Sequence, residues 1–345
     1  MLRDLGFGDF GRRHADIAVD LGSTNTRIGA RGRGLLVELP SVVAMERKGQ
    51  TRTVVAVGDG AREMLGRTPD RIQARRPVRG SVIEDYGLVQ DLLDHAIRLA
   101  FGGRVPSRAR VAISLGQGTQ EVARRAVQDA ARAIGVREVV LIPKGVAAAV
   151  GSELPVQATE GNLLVDLGGG TTEVVLMSMG GLIDHEVVDV GGTTIDSAIA
   201  GWVREVAGIS IGERAAETLK LQAAQAAASQ GGTVVVTGRD QATGIPKEVR
   251  LEAEALTKAV LPTLQPVVEG LRAVLSRSSP ELAADIADNG LVLCGGVALL
   301  PGVVAMVRDA TGLPVVLSET PQHATVHGTL KLLDDSEALA RVAWR

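Results

Sequence analysis

"VDLGGGTTEVV", residues 165–175, decides the reading of this chain. An apolar run reaches an aspartate and then meets three glycines in a row. Adjacent glycines weaken any helix or strand, so this turn needs bare backbone. A similar stretch, "VDLGSTNTRIG", occupies residues 19–29, and five of the eleven aligned positions are identical. Asp20 and Asp166 hold equivalent places. The same strand, turn and strand surround both, so the chain reads as a duplication whose second half begins near Asn162.

A strand ending in Asp, a Gly/Ser/Thr turn and a second strand form a β-hairpin. Such a turn gathers backbone N–H groups into a nest for anions, phosphate oxygens above all. The hydroxyls of Ser23, Thr24, Thr171 and Thr172 add donors. An ionised aspartate only accepts hydrogen bonds and suits Mg²⁺, usually through its waters. Two facing hairpins would clamp a polyphosphate with its metal; the plain alternative is two ordinary tight hairpins. The pattern G-x-x-x-x-G-K-[ST] is absent, so a P-loop is unsupported. A third glycine turn, "LVLCGGVALLPG" at 291–302, sets Gly295 and Gly296 between a strand and a helix. There a flat group such as adenine can approach the backbone, or strand and helix can simply pack tightly.

The 345 residues suggest two domains or one large α/β unit. Aromatics make up 2% and hydrophobics 45%, so the core is aliphatic, as suits parallel sheets covered by helices. The net charge of −3 gives no basic field for nucleic acid. Cys294 is the only cysteine, which excludes an intrachain disulfide framework and fits a reducing compartment. It reads as a small buried hydrophobe. No apolar run has the length of a membrane span, and the N-terminus lacks a secretory h-region. The expected location is cytoplasmic.

Residues 1–14, "MLRDLGFGDFGRRH", read either as a floppy tail or as a membrane anchor, with apolar side chains in lipid and arginines on headgroups. "GFGDFG" matches G-x-G-x-x-G but follows no strand, so the dinucleotide reading fails. Strand runs follow from Ala15, then helices over 87–101 and 121–135, strands at 110–115 and 137–142, and a helix from "VAAAVGSEL". The pattern restarts at "NLLVDL". Helices are expected at about 194–207, 213–229 and, as one long element, 254–276. "ALLPGVVAMVRDA" reads as a single helix, and the chain closes with a polar tail at 336–345.

The three glycine sites together resemble the actin, Hsp70 and sugar-kinase superfamily, and most closely the MreB family of bacterial actin-like cell-shape proteins. The resemblance runs from about Ala15 to Leu333. It is carried by "DLGSTNT", "ELPSVVAM", "VDLGGGTTEV", "VGGTTIDSAI", "IGERAAETLK" and "LCGGVALLPG", and most specifically by the stretch "VGDGAREMLGRTPDRIQARRPVRGSVIEDY" at 57–86.

It implies an α/β, actin-like fold: two lobes with duplicated RNase H-like cores around a nucleotide cleft. The first lobe would span 15–160, with a small subdomain at about 41–86. The second would span 161–335, with a small subdomain at about 192–253. The resemblance also implies ATP and Mg²⁺, self-assembly into filaments on the inner membrane face, and guidance of cell-wall synthesis. By matching motif, Ser23, Thr24 and Asn25 would line the first phosphate turn. Gly168, Gly169, Gly170, Thr171 and Thr172 would form the second, with Asp20 and Asp166 on the metal. Glu213, Arg214, Ala215, Ala216 and Glu217 would lie near ribose and base, and Gly295, Gly296, Val297 and Ala298 near adenine.

Three departures stand out. The family's "LIEEPxAAAIG" reads "LIPKGVAAAVG" here, so Pro143, Lys144 and Gly145 replace Glu, Glu and Pro. The lost glutamate is the one thought to activate the attacking water, and a lysine is a cation at neutral pH. Thr193 stands where the family usually has Asp, and Val297 where it has a third glycine. The expectation is a protein that binds ATP and hydrolyses it slowly or not at all. Rival readings are a small-molecule kinase, a chaperone-type ATPase, and a non-polymerising partner of another MreB.

Lesser candidates also emerge. His323 and His327 could share a metal or be packing residues. Arginines 67, 71, 75, 76 and 79 could bind phosphate or lipid, line a filament contact, or face solvent. Phe101 could touch a membrane or pack inside. Ser114 and the five histidines suggest no catalytic triad.

Overall fold

The computed structural model describes residues 15–48, 51–228 and 232–344. The proposed anchor at 1–14 lies outside them. The first lobe is built on a five-stranded sheet in the order Glu138–Pro143, Arg110–Leu115, Asp16–Leu21, Asn25–Ala30, Gly34–Pro40. Asp16–Leu21 runs antiparallel to its hairpin partner and parallel to Arg110–Leu115. The second lobe repeats the plan: Gly181–Val188, Thr172–Ser178, Asn162–Leu167, Leu291–Cys294, Val315–Leu317. Its central strand again pairs antiparallel within the hairpin and parallel with the next strand. The duplication in the sequence is thus a duplication of topology.

Both faces of the first sheet are covered, so its central strands read as unbroken apolar runs. Ile17, Val19, Val111 and Ile113 pack against the helices Tyr86–Ala100 and Glu121–Ala133. Asp85 caps the first of these by accepting from the Leu88 N–H at 3.1 Å, a contact worth about 1 kcal/mol. Ala18 and Ala112 point the other way, as strand alternation requires, onto Ala147 and Val326. In the second lobe Val165 and Val174 face Ile195, Ile199 and Val267. Leu164 and Val175 face Val146, Ala148 and Ala149.

The helix Lys144–Gly151 therefore serves both lobes, Ala147 packing into one and its neighbours into the other. It crosses the helix Ala324–Asp334 backbone to backbone. A Cβ on Gly151 would overlap the Ala324 carbonyl, and one on Gly328 would overlap that of Ala147. Only two glycines allow that approach, and it fixes the floor between the lobes. Two smaller sheets flank the core. One joins Thr51–Val57, Val43–Lys48 and Ile72–Arg75; the other joins Ile209–Ser210, Thr233–Asp240 and Pro246–Glu252.

Four expectations need correction. The long helix at 254–276 is three pieces: Ala253–Val260, a 3₁₀ turn at Leu261–Leu264, and Gln265–Arg277. Pro262 and Pro266 lack the N–H that a continuous helix needs. "ALLPGVVAMVRDA" is likewise split, into a 3₁₀ turn at Gly296–Leu299 and a helix at Val303–Thr311, with Gly302 left-handed between them. The polar tail contains the helix Ser336–Val342, capped by Asp335 and burying Ala338 and Leu339. Finally, the helix read from "VAAAVGSEL" starts at Lys144. Phe101 is 8% exposed within the first core, with the Arg33 guanidinium 5.9 Å from its ring centroid, so the packing reading holds.

Candidate functional site

The two hairpins place their aspartates at equivalent points and give them unlike partners. Asp20 stands opposite Arg27, and Asp166 opposite Glu173. Their parallel neighbours are Ser114 and Cys294. Arg27 Nη1 lies 3.2 Å from Asp20 Oδ2, and its Nη2 donates to Glu38 at 2.7 Å. Glu38 in turn meets His323 Nε2 at 3.1 Å. His327 pairs with Thr320 at 3.2 Å. Among the described residues no group of three His, Cys, Asp or Glu side chains is placed to hold a metal ion.

The turns themselves meet. A Cβ on Gly169 would run into Thr24 Oγ1, and one on Gly170 would come within 2.6 Å of Ser23 Oγ. Bare backbone thus serves contact between the jaws as well as exposure of N–H groups. Gly168 N–H is used within its turn, donating to the Thr171 carbonyl at 3.0 Å. Among the described residues the N–H groups of Ser23, Thr24, Gly169 and Gly170 have no backbone partner. Thr24 Oγ1 is buried without a hydrogen-bond partner. Such an orphan normally marks a missing ligand or water.

Between the lobes lies a cavity of about 250 Å³. Of the expected residues, Asp20, Ser23, Thr24 and Asn25 line it from one jaw, and Asp166, Gly168 and Gly169 from the other. Glu217, Gly295, Gly296 and Val297 line it as well. Gly295 is left-handed (φ 84°), and a Cβ there would come within 2.5 Å of Asp166 Oδ1. Gly170 and Glu213 line an adjoining cavity of about 450 Å³. Thr171 borders a space of about 20 Å³ shared with Lys144, Glu173 and Thr119, room for about one water.

The rest are placed elsewhere. Thr172 is fully buried and donates to the Val190 carbonyl at 2.8 Å. Ala216 and Ala298 sit in the core of the second lobe. Arg214 and Ala215 share the helix Glu213–Ala228 without lining the cavity. Ser114 Oγ is tied to the Val19 carbonyl at 3.1 Å.

Lys144 heads its helix in the cleft, with Nζ 3.4 Å from Asp20 Oδ1. Burial works against its charge, but Asp20, Asp166 and Glu173 outweigh burial and hold its pKa above the ordinary lysine value. It is an ammonium and accepts no proton. Burial raises the Asp166 carboxyl, with Lys144 pulling the other way. Glu173 is pushed up to about 7, by burial first and then by Asp166 across the ladder. Its oxygens accept from the N–H of Gln117 at 2.9 Å and of Gly145 at 3.0 Å, so it caps the Lys144–Gly151 helix from the other lobe. Burial also puts the Cys294 thiol well above the usual thiol range, as expected of an inert hydrophobe.

Several side chains here were not singled out in the sequence. Glu173 had a signal, being a charge inside the wholly buried strand Thr172–Ser178. Arg27 had one too, standing across the local hairpin from Asp20. Arg62, Asp196 and Lys220 had none, because only tertiary proximity brings them to the cleft. Lys220 Nζ lies 2.8 Å from Asp196 and donates to the Gly192 carbonyl at 3.2 Å. Arg62 donates to Glu217 at 2.8 Å and Arg76 to Glu213 at 2.9 Å, which assigns Arg76 to a cleft contact.

This donor set suits a polyphosphate: free N–H groups, an orphan hydroxyl, an ammonium and three arginines, Arg27, Arg62 and Arg76. It does not suit a divalent metal as it stands, because Arg27 and Lys144 already occupy Asp20.

The sequence matches the profile of the family described as MreB/Mbl protein over residues 14–341. The cell shape-determining protein MreB of Escherichia coli K12 is 38% identical over 324 residues, covering 92% of this chain and 93% of that one. The cell shape-determining protein Mbl of Bacillus subtilis is 32% identical over 327 residues, covering 94% and 98%. Among solved structures, MreB5 of Spiroplasma citri bound to AMPPNP superposes with a TM-score of 0.87 at 27% identity, covering 94% of this chain and 98% of that one. The MamK double helical filament gives a TM-score of 0.75 at 19% identity, covering 94% and 99%, and so shares the actin-like fold. With the motif matches and the duplicated lobes, these findings place the chain in the MreB/Mbl family.

Proposed function

We propose that this chain is an ATP-binding, cell shape-determining filament subunit that works on the inner face of the cell membrane and guides cell-wall synthesis. The observation that carries the nucleotide reading is the meeting of the two turns, with unpaired N–H groups and the orphaned Thr24 hydroxyl facing one cavity. Support comes from family membership and from MreB5, whose structures hold AMPPNP and ADP. On this reading Ser23, Thr24, Asn25 and Gly168, Gly169, Gly170 and Thr171 hold the phosphates. Glu213 and Glu217 lie toward ribose and base, and Gly295, Gly296 and Val297 toward adenine, while Arg214 and Ala298 stand behind them. Lobes at 15–160 and 161–335 close around them, with the small sheets as subdomains. Mg²⁺ is the one companion that the donor set disfavours.

ATP hydrolysis is slow in this proposal, because the charged Lys144 stands where a water-activating acid is expected. A phosphate-release assay at saturating ATP tests this. Release below that of the Escherichia coli MreB supports the reading, and Lys144→Glu raises it if the acid alone is missing; equal release by the unmodified chain sinks it. Electron microscopy with ATP on anionic lipid tests assembly. Ordered filaments on the lipid support the filament reading. Filaments only with another MreB favour a non-hydrolysing partner, a reading that Lys144 itself recommends.

A further inference from the structure

Asp20, one of the two carboxylates expected to hold a metal, already faces two fixed cations. Asp20 is 1% exposed. Its Oδ2 faces Arg27 at 3.2 Å and its Oδ1 faces Lys144 at 3.4 Å. That Oδ1 is buried and accepts no hydrogen bond among the described residues, so the ammonium is its counter-charge. A Cβ on Gly22 would stand 3.8 Å from Lys144 Nζ, which puts the ammonium beside the first turn. Asp166 lines the same cavity from the opposite jaw. The ammonium thus lies where three negative groups would converge: Asp20, Asp166 and a phosphate chain held by the turns. That is the position in which a divalent cation would be useful.

Local structure argues that the placement is specific. Lys144 is the first residue of its helix, and a helix N-terminus disfavours a cation. The neighbouring carboxylates offset that cost. The backbone that carries it is fixed as well, since its helix is pinned between the lobes by Gly151 and Gly328. Lysine is a compact point charge with three donors, so it can bridge both carboxylates and a phosphate oxygen. Unlike a bound ion, it cannot leave.

We propose that Lys144 is a built-in counter-ion in the place of the divalent metal, so that this chain binds ATP and ADP without needing Mg²⁺. The proposal rests on the nucleotide reading above. The test is titration calorimetry of the full chain with ATP and with ADP, in excess Mg²⁺ and in excess EDTA. Affinities within about threefold of each other in the two buffers support it. A loss of about tenfold or more in EDTA overturns it and leaves the nucleotide reading standing. Binding in neither buffer sinks the nucleotide reading and this inference with it. Lys144→Ala and Lys144→Met should weaken binding in EDTA by about tenfold or more and regain it with Mg²⁺. Variants that bind equally with and without metal contradict the role assigned to Lys144. Thermal melts of both show whether they fold, and if neither does, the unmodified chain decides.

Discussion

Arg62 and Glu217 lie 155 residues apart in sequence and meet across the cleft, Nη2 to Oε2 at 2.8 Å. One sits on the helix Asp59–Met64 of the first lobe, the other on Glu213–Ala228 of the second. Arg76 and Glu213 repeat the contact at 2.9 Å. Any movement that parted the lobes at the cleft would break both pairs. Arg62 is 31% exposed and Glu217 15%, so this pair contributes about 1 kcal/mol, and the more exposed Arg76–Glu213 pair less. Arg62→Ala should speed release of a fluorescent ATP analogue about fivefold, and exchanging the charges of Arg62 and Glu217 should restore the slow rate. Release unchanged in Arg62→Ala would remove the latch from the account.

Thr24 carries a prediction of two signs. Its buried hydroxyl has no hydrogen-bond partner among the described residues, so Thr24→Val removes an unpaired polar group. Melting without nucleotide should stay level or rise. Affinity for ATP should fall by about tenfold, the worth of a hydrogen bond to a charged oxygen. A parallel fall in both would show a packing role instead.

Gly151→Ala and Gly328→Ala each drive a methyl group into a backbone carbonyl of the facing helix. Overpacking of this kind costs about 3 kcal/mol. Denaturant melts should show a loss of that order for either change. The double variant should cost less than the sum, because the first displacement makes room for the second. Simple additivity would place the two clashes in independent sites.

Asp196 gives a pH signature. Burial lifts its carboxyl to about 6 against the pull of Lys220, with Glu217 and Glu213 adding to the rise. The folded state therefore holds a proton that the unfolded state has lost between about pH 4 and 6. Stability contributed by that proton is lost as pH climbs through the window. Lowering pH from 7 to 5 should stabilise the unmodified chain more than Asp196→Asn, by a few kcal/mol at most. Equal responses would show that Asp196 keeps its ordinary pKa.

Much of the site was legible because it is local. The duplicated Asp–Leu–Gly turns, the glycine pair at 295–296 and the change to "PKG" at 143–145 are contiguous, and hairpin geometry follows from strand, turn and strand. Strand positions 16–21, 110–115 and 162–167 followed from apolar runs that need cover on both faces. The long helix over 254–276 failed where two prolines outweighed an unbroken apolar period. The polar tail failed because Ala338 and Leu339, with the half-buried Val342, suffice to dock a short helix that also carries Ser336, Glu337 and Arg341.

The sequence by itself determined the two jaws, the aliphatic α/β cores and the loss of an acid at 144. Only the tertiary structure decided what the lysine in its place meets. Whether Lys144 faced solvent, a phosphate or a carboxylate depended on where its helix lay. That position is set by contacts far away in the chain, Gly151 on Ala324 and Gly328 on Ala147. Charge–charge energies fall with distance and rise with burial. A lysine known only by its neighbours in sequence therefore has no defined electrostatic role, and one held 3.4 Å from a buried aspartate does.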